Sequence, residues 1–365
     1  MAKRVLIYST AYLPLVGGVE IAIKEITDRL PDFSFDLITA RLDRRLPREE
    51  TIGRIKVYRL GPGLFLDKIW LVLRGGSFGR KLHQKNSYNL VWGMMASFGG
   101  LAALRFKELV PATKFILTLQ EGDDLLLIER KMKLLAFRFK KIFTSADYIQ
   151  AISNYLATWA EKRGVLAPIE VVPNGVDLDK FKFVERKTSR TIITTSRLVK
   201  KNGLDTLIRS LLFLPDDYRL QIIGTGPEAE NLRNLALKFK LAERVDFLGL
   251  IKNDELSSHL GQAEIFARPA LSEGLGISFL EAMACGLPIV GTSVGGIPDF
   301  LIDSQTGWFC ESDNPFDLAE KIKLITNPEN TDLVNRVVIQ ARQLIVDKYD
   351  WNKITLKINQ IFSNV

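Results

Sequence analysis

Two glutamates eight residues apart, Glu273 and Glu281, bracket a Gly274-Leu275-Gly276 loop and the start of an otherwise apolar helical stretch. A carboxyl within so apolar a helix is costly to bury unless it is paired or bound to a ligand. Hydroxyl-rich groups such as ribose or a pyranose supply the donors that carboxylates accept, and free amides at a helix start suit a diphosphate. The same spacing is equally compatible with one capping glutamate and one structural ion pair. Upstream, Ser196-Arg197-Leu198-Val199-Lys200-Lys201-Asn202-Gly203 sets cations just beyond a predicted strand. Arg197 there can neutralise phosphate bidentately, or the loop is simply a solvated basic one.

Two glycine turns offer further anion sites. Tyr12-Leu-Pro14-Leu-Val-Gly17-Gly18-Val-Glu20 ends a first strand and opens a helix near Val19, where backbone amides are free. Gly224-Thr-Gly226-Pro-Glu-Ala229 follows a predicted strand and matches G-x-G-x-x-A, a dinucleotide fingerprint that would make the chain an NAD-dependent enzyme. The acidic residue that fingerprint needs would be Asp246, which opens the next strand instead of closing it. A phosphate-facing turn at Gly224 and Gly226 is the reading retained. His83 and His259 are the only histidines, Cys285 and Cys310 the only cysteines, and none has metal-ligand spacing. Asp177-Leu-Asp179 is a D-x-D, but no metal is expected. The chemistry falls to carboxylates, Arg/Lys and amides.

Those residues must be carried by elements. Val5–Ser9, Phe35–Thr39, Lys56–Leu60, Lys114–Leu119 and Tyr148–Ile152 read as buried strands, with Val19–Leu30 and Lys131–Phe143 as helices between some of them. After residue 168 the pattern restarts with strands Thr191–Thr195, Arg219–Ile223, Val245–Leu248, Ile265–Ala267 and Pro288–Gly291. The prediction is an α/β protein of two doubly wound Rossmann-like domains facing across a cleft. The expected boundaries are 1–168, 169–349 and a last helix over 350–365 packing back on the first domain. The 365 residues, 47% hydrophobic and 25% charged, exclude collagen-like, disordered and disulfide-framework classes. Residues 1–168 hold 27 Lys/Arg against 16 Asp/Glu, whereas 169–365 hold 23 against 26. The basic first half attracts phosphates, anionic membranes or nucleic acid, among which charge alone does not choose, and no aromatic-and-basic nucleic-acid motif accompanies it. The uncharged run over 90–104 is too short to span a bilayer.

Taken together, the motifs resemble the retaining, nucleotide-sugar-dependent glycosyltransferases of the family-4 (group 1) type, with the GT-B architecture. The resemblance runs through Tyr12-x-Pro14-x-x-Gly17-Gly18-x-Glu20, Pro173-Asn174-Gly175-Val176-Asp177 with Phe181, Glu273-x7-Glu281 with Ala-Met-Ala-Cys-Gly-x-Pro, and Gly295-Gly296-Ile297-Pro298-Asp299. It implies that Arg197, Lys201 and Asn202 hold a donor diphosphate and that Glu281 bonds the ribose. Glu273 would contact the transferred sugar, with the amides of Gly274, Leu275 and Gly276 beside it, while Gly17 and Gly18 close over the phosphate. The implied substrates are a UDP-, GDP- or ADP-linked sugar and a glycan or glycolipid acceptor. No further cofactor is expected, and a donor-binding module without transfer activity is the alternative within the family.

Three departures from the family pattern stand out. Gln120 occupies the place of a frequent histidine; it can hydrogen-bond a sugar hydroxyl and is kept with Glu273 and Arg197 as a catalytic candidate, but it cannot act as a cation or general base at neutral pH. Asn202 stands where the family carries lysine, with Lys201 one place early, and Asp299 replaces a commoner glutamate. The segment 130–143 adds a basic face, Arg130, Lys131, Lys133, Arg138, Lys140 and Lys141, beside apolar Met132, Leu135, Phe139, Ile142 and Phe143. Such a face fits an anionic membrane surface, so a cytoplasmic chain bound peripherally to the inner face of a membrane is expected.

Overall fold

The computed structural model describes residues 3–185 and 187–365, without the side chains of Lys131, Leu134, Asn253 and Asp254. The chain forms two compact units, one of residues 1–174 with 351–365 and the other of 175–350.

The first unit runs β1 (Lys3–Tyr8), α1 (Gly18–Asp28), β2 (Phe33–Ala40), β3 (Glu49–Ile52), β4 (Ile55–Leu60), α2 (Asp67–Asn86), β5 (Leu90–Met94), α3 (Phe98–Leu109), β6 (Lys114–Leu119), α4 (Leu125–Lys131), α5 (Ala136–Ser145), β7 (Tyr148–Ala151), α6 (Asn154–Glu161) and β8 (Ile169–Val171). The sheet order is β3-β4-β2-β1-β5-β6-β7-β8, parallel except for the β3–β4 pair. Strands covered on both faces read as apolar runs, and β5 is buried at every residue. Strand order reverses between β1 and β5, which opens a crevice beyond their carboxyl ends.

The second unit runs β9 (Thr191–Thr195), α7 (Leu204–Ser210), β10 (Arg219–Ile223), α8 (Ala229–Lys238), β11 (Val245–Gly249), α9 (Asn253–Gln262), β12 (Ile265–Arg268), α10 (Ile277–Cys285), β13 (Ile289–Thr292), β14 (Trp308–Cys310), α11 (Pro315–Thr326) and α12 (Thr331–Lys348). Its all-parallel order, β11-β10-β9-β12-β13-β14, reverses between β9 and β12. The last helix, α13 (Trp351–Asn364), belongs to the first unit. Its Phe362 meets the rings of Phe33 and Trp92 edge-on at 5.7 and 5.1 Å.

The helix expected over Lys131–Phe143 is broken. α4 ends at Lys131, a 3₁₀ turn covers Lys133–Leu135, and α5 starts at Ala136. Only Phe139, Ile142 and Phe143 of its expected apolar face reach the core, while Leu135 is exposed. Strands β3, β8 and β14 went unforeseen because each is a short edge strand, β3 and β8 lacking an apolar run and β14 being only three residues long.

Candidate functional site

At the carboxyl end of β12, Arg268 is buried and organises the Glu273 loop. Its Nη2 donates to Glu273 Oε2 at 2.5 Å and its Nη1 to Ser278 Oγ at 2.8 Å, with its guanidinium carbon 4.4 Å from the Phe279 ring centre. Burial lowers its pKa, and the neighbouring Glu273 and Glu281 pull it back up. The other oxygen of Glu273 accepts the Gly274 amide at 2.9 Å, so both its oxygens are oriented by this chain. The Gly295-Gly296 turn closes on the same residue, with the Gly296 amide donating to Glu273 O at 3.1 Å.

α10 starts at Gly276, whose φ of 96° suits a residue without Cβ. Its far end is fixed by Arg342, which donates to the carbonyls of Ala284 (2.7 Å) and Phe181 (3.2 Å). Glu281 therefore projects from a helix anchored at both ends. Its side chain keeps partial exposure, yet desolvation pushes its carboxyl up to about 7 against the pull of Lys180 and Arg268. Among the described residues it makes no hydrogen bond within the protein.

The β9 side of the switch point supplies the cations. Arg197 is exposed, and its carbonyl accepts the Asn202 side-chain amide at 2.7 Å. Asn202 is itself buried, so it braces the arginine loop and does not reach outward. The Leu271 amide donates to Lys201 O at 2.6 Å, tying this loop to the one after β12. Thr195 Oγ1, Ser196 Oγ and Arg268 Nε are buried without a protein partner at this edge. Thr194 Oγ1 on the same strand is a fourth such atom, and buried polar atoms are nearly always bonded, so the carboxyl ends of β9 and β12 concentrate unmet hydrogen-bonding capacity.

In the first unit Gly17 caps α1, and a Cβ there would stand 2.7 Å from Glu20 Oε2. The close approach that Gly17 permits is thus made by this chain's own acid. Arg59, buried on β4, donates to Leu13 O at 2.6 Å and fixes the loop from behind. Gln120 is buried and paired with Asn174, Nδ2 to Oε1 at 3.1 Å and Nε2 to Oδ1 at 3.4 Å. Beside it lies Glu121, fully buried, with Oε1 accepting the Ala96 amide at 2.5 Å and Oε2 unpartnered. Burial pushes this carboxyl up to about 7, against the amides it accepts. Glu121 has no distinguishing spacing in the sequence, and its position appears only when β5 and β6 pair.

Residues 176–344 match the family described as glycosyl transferases group 1, and residues 16–180 match glycosyltransferase family 4. The chain belongs to the group 1, family-4 type glycosyltransferases. It is similar to an uncharacterised glycosyltransferase of Methanocaldococcus jannaschii, 26% identical over 97% of this chain and 96% of that one. A GDP-mannose-dependent alpha-(1-6)-phosphatidylinositol monomannoside mannosyltransferase of Mycolicibacterium smegmatis is 30% identical, over 61% of this chain and 64% of its own length. Among solved structures, sucrose-phosphate synthase from Thermosynechococcus elongatus superposes with a TM-score of 0.85 at 20% identity, covering 99% of this chain and 98% of that one. HepE of Anabaena, in complex with UDP and glucose, gives 0.80 at 17% identity over the whole of both chains. The architecture is GT-B, and the enzyme transfers sugar from a nucleotide sugar.

Within this glycosyltransferase several expectations need correction. A Cβ at Gly224 would stand 1.9 Å from Ser196 O, and one at Gly226 would stand 2.3 Å from Leu198 O. These glycines pack one strand-to-helix loop on its neighbour, which is a reason for glycine at both places besides a phosphate. Asp246 is the second residue of β11, at the amino end of the strand, and the NAD-dependent reading falls with it. Asp177 Oδ1 accepts the amides of Asp179 (3.1 Å) and Lys180 (3.2 Å), so this acid of the D-x-D forms a turn. His83 is half-buried on α2, its Nδ1 accepting the Tyr88 amide at 3.2 Å. Both cysteines are buried, with thiols pushed up to about 12.

The basic helix face is also smaller than expected. Arg138 and Lys141 each pair with Glu108 of α3 at 2.8 Å, leaving Arg130, Lys133 and Lys140 outward, while the Lys131 side chain lies outside the described residues. No helix among the described residues is long and apolar enough to cross a membrane.

Proposed function

We propose that the β9/β12 edge binds a nucleoside diphosphate sugar and that the enzyme transfers the sugar with retention to a glycan or lipid-linked acceptor. The observation that carries this reading is the cluster of orphaned Thr195, Ser196 and Arg268 polar atoms beside Glu273 and Glu281. In this reading Glu281 accepts the ribose hydroxyls and Glu273, held by Arg268, contacts the transferred sugar. Arg197 and Lys201 stabilise the departing diphosphate together with the amides of Gly274, Leu275 and Gly276. Asn202 acts through Arg197.

Gln120 is a neutral amide, so a leaving phosphate oxygen takes the acceptor proton and the side chain does not. The mycobacterial relatives, named as GDP-mannose-dependent enzymes acting on phosphatidylinositol mannoside, support GDP-mannose and a lipid-linked acceptor. UDP in the Anabaena HepE structure keeps UDP-sugars, and beside them ADP-sugars, in the comparison. A lipid-linked acceptor would bring the enzyme to the cytoplasmic face of a membrane. The test is to incubate it with GDP-, UDP- and ADP-sugars and membrane lipids or glycans, then read the anomeric configuration of the product by NMR. A product with the donor's configuration is expected. An inverted product, or donor binding with no transfer to any acceptor, contradicts the reading.

A further inference from the structure

We infer that Arg268 is the positioning residue of Glu273 and the shared counter-charge of Glu273 and Glu281, an inference that rests on the reading of a nucleotide-sugar site. The pair it forms with Glu273 is enclosed, with side-chain exposures of 5% for the arginine and 15% for the glutamate. Burying an ion pair is costly, and well-packed apolar side chains can often replace one without loss of stability. Stability alone therefore gives no reason for an arginine at the end of β12. The backbone of Glu273 is fixed by other means, because the Gly295-Gly296 turn lies on it and a Cβ at Gly295 would stand 1.8 Å from Glu273 O. What remains free is the direction of the carboxyl, and Arg268 sets that. Gly276 leaves room for the pair, since a Cβ there would stand 3.2 Å from Arg268 Nη2 and 3.3 Å from Glu273 Cγ. Ser278 and Phe279 on the first turn of α10 hold the guanidinium in turn.

With one donor on each oxygen, the Glu273 carboxylate keeps a second lone pair on both. Fixed in direction, these lone pairs can accept two neighbouring hydroxyls of a sugar. Glu281 lies in the same field. The groups that act on it are Arg268 from β12, Lys180 from the segment before β9, and the Cys285 thiol one turn along α10. The thiol, pushed up to about 12, stays neutral, so the two cations alone favour the Glu281 carboxylate against its burial. One buried cation thereby serves both acids of the Glu273-x7-Glu281 motif.

Calorimetric titration of the full chain with GDP against GDP-mannose, and with UDP against UDP-glucose, reads what the sugar adds to affinity. Arg268→Lys keeps the charge and loses the fork. The ratio of sugar-nucleotide affinity to diphosphate affinity should fall about tenfold, the worth of a charged hydrogen bond, while the diphosphate alone binds within about twofold of the unsubstituted enzyme. In a Glu273→Gln background the same substitution should change the ratio by less than about twofold, because nothing is left to position. Ser278→Ala leaves the ion pair in place and should lower the ratio less. Equal weakening of diphosphate and sugar nucleotide in Arg268→Lys, or an undiminished loss in the Glu273→Gln background, would give Arg268 a structural role only and overturn the inference. Carbon-13 NMR of the ligand-free chain follows the Glu281 carboxyl, identified by its loss in Glu281→Gln. Its titration midpoint, about 7, should move to higher pH in Arg268→Met and stay in place in Arg268→Lys. An unmoved midpoint in Arg268→Met would also overturn the inference. Absence of diphosphate binding in the unsubstituted enzyme would instead undermine the donor site, and the Glu281 titration would still decide the role of Arg268 as counter-charge.

Discussion

A buried carboxyl resists ionisation, and Glu121 and Glu281 both feel this strongly enough to titrate near pH 7. For Glu121 the folded pKa lies above the unfolded value of 4.5, so the folded state holds its proton more tightly. Its stabilising contribution is complete below about pH 4.5 and is lost as the pH rises through about 7, a change of about 3 kcal/mol. Glu121→Gln keeps an acceptor for the Ala96 amide and removes the titration. Urea unfolding should find it equal to wild type at pH 4.5 and more stable by up to about 3 kcal/mol at pH 8. For Glu281 the consequence lies in binding. If its carboxylate accepts ribose hydroxyls, nucleotide affinity should fall as the pH drops below 7, and Glu281→Gln should flatten that dependence in calorimetric titrations. Asn202 acts one step removed. Asn202→Ala removes the buried bond to the Arg197 carbonyl and should lower the melting temperature by about 2–4 °C, ~1 kcal/mol, and calorimetric titration should find nucleotide binding weakened as Arg197 loses its brace.

The elements explain which of these residues were legible beforehand. Glu273, Glu281 and their glycine loop stood out because an acid in an apolar helix needs a reason, and that reason survives translation into α10. Arg268 and Ser278 lie in the same stretch, but nothing in their spacing reveals that one holds the other. Pairing emerges only when β12 delivers Arg268 under the start of α10. The Gly224 turn is ambiguous for a related reason. A glycine needed where two loops of one sheet touch has the same sequence as one needed against a phosphate. Similarly, the 130–143 periodicity gave the right buried residues in its second half and hid the break at Met132. α13 offers a direct check of element packing. Phe362→Ala removes the ring set against Phe33 and Trp92 and should cost about 3–5 kcal/mol, read from the urea midpoint.

At the scale of the whole molecule, two doubly wound sheets were legible because their central parallel strands are apolar runs separated by stretches long enough for a helix. Membership of the glycosyltransferase family follows from matches that together span residues 16–344. The charge is divided just as unevenly, with the excess of Lys/Arg in the first half and the paired glutamates in the second. A donor site in the second unit must therefore rely on local cations, Arg197 and Lys201, and not on a general positive field. The central claim is that this edge binds a nucleoside diphosphate through Arg197 and Glu281. Isothermal titration of GDP, UDP and ADP into wild type, Arg197→Ala and Glu281→Ala tests it most directly. The account predicts saturable binding of one diphosphate, weakened roughly tenfold to a hundredfold in each variant as a charged hydrogen bond is lost. Undiminished binding in both variants would contradict it.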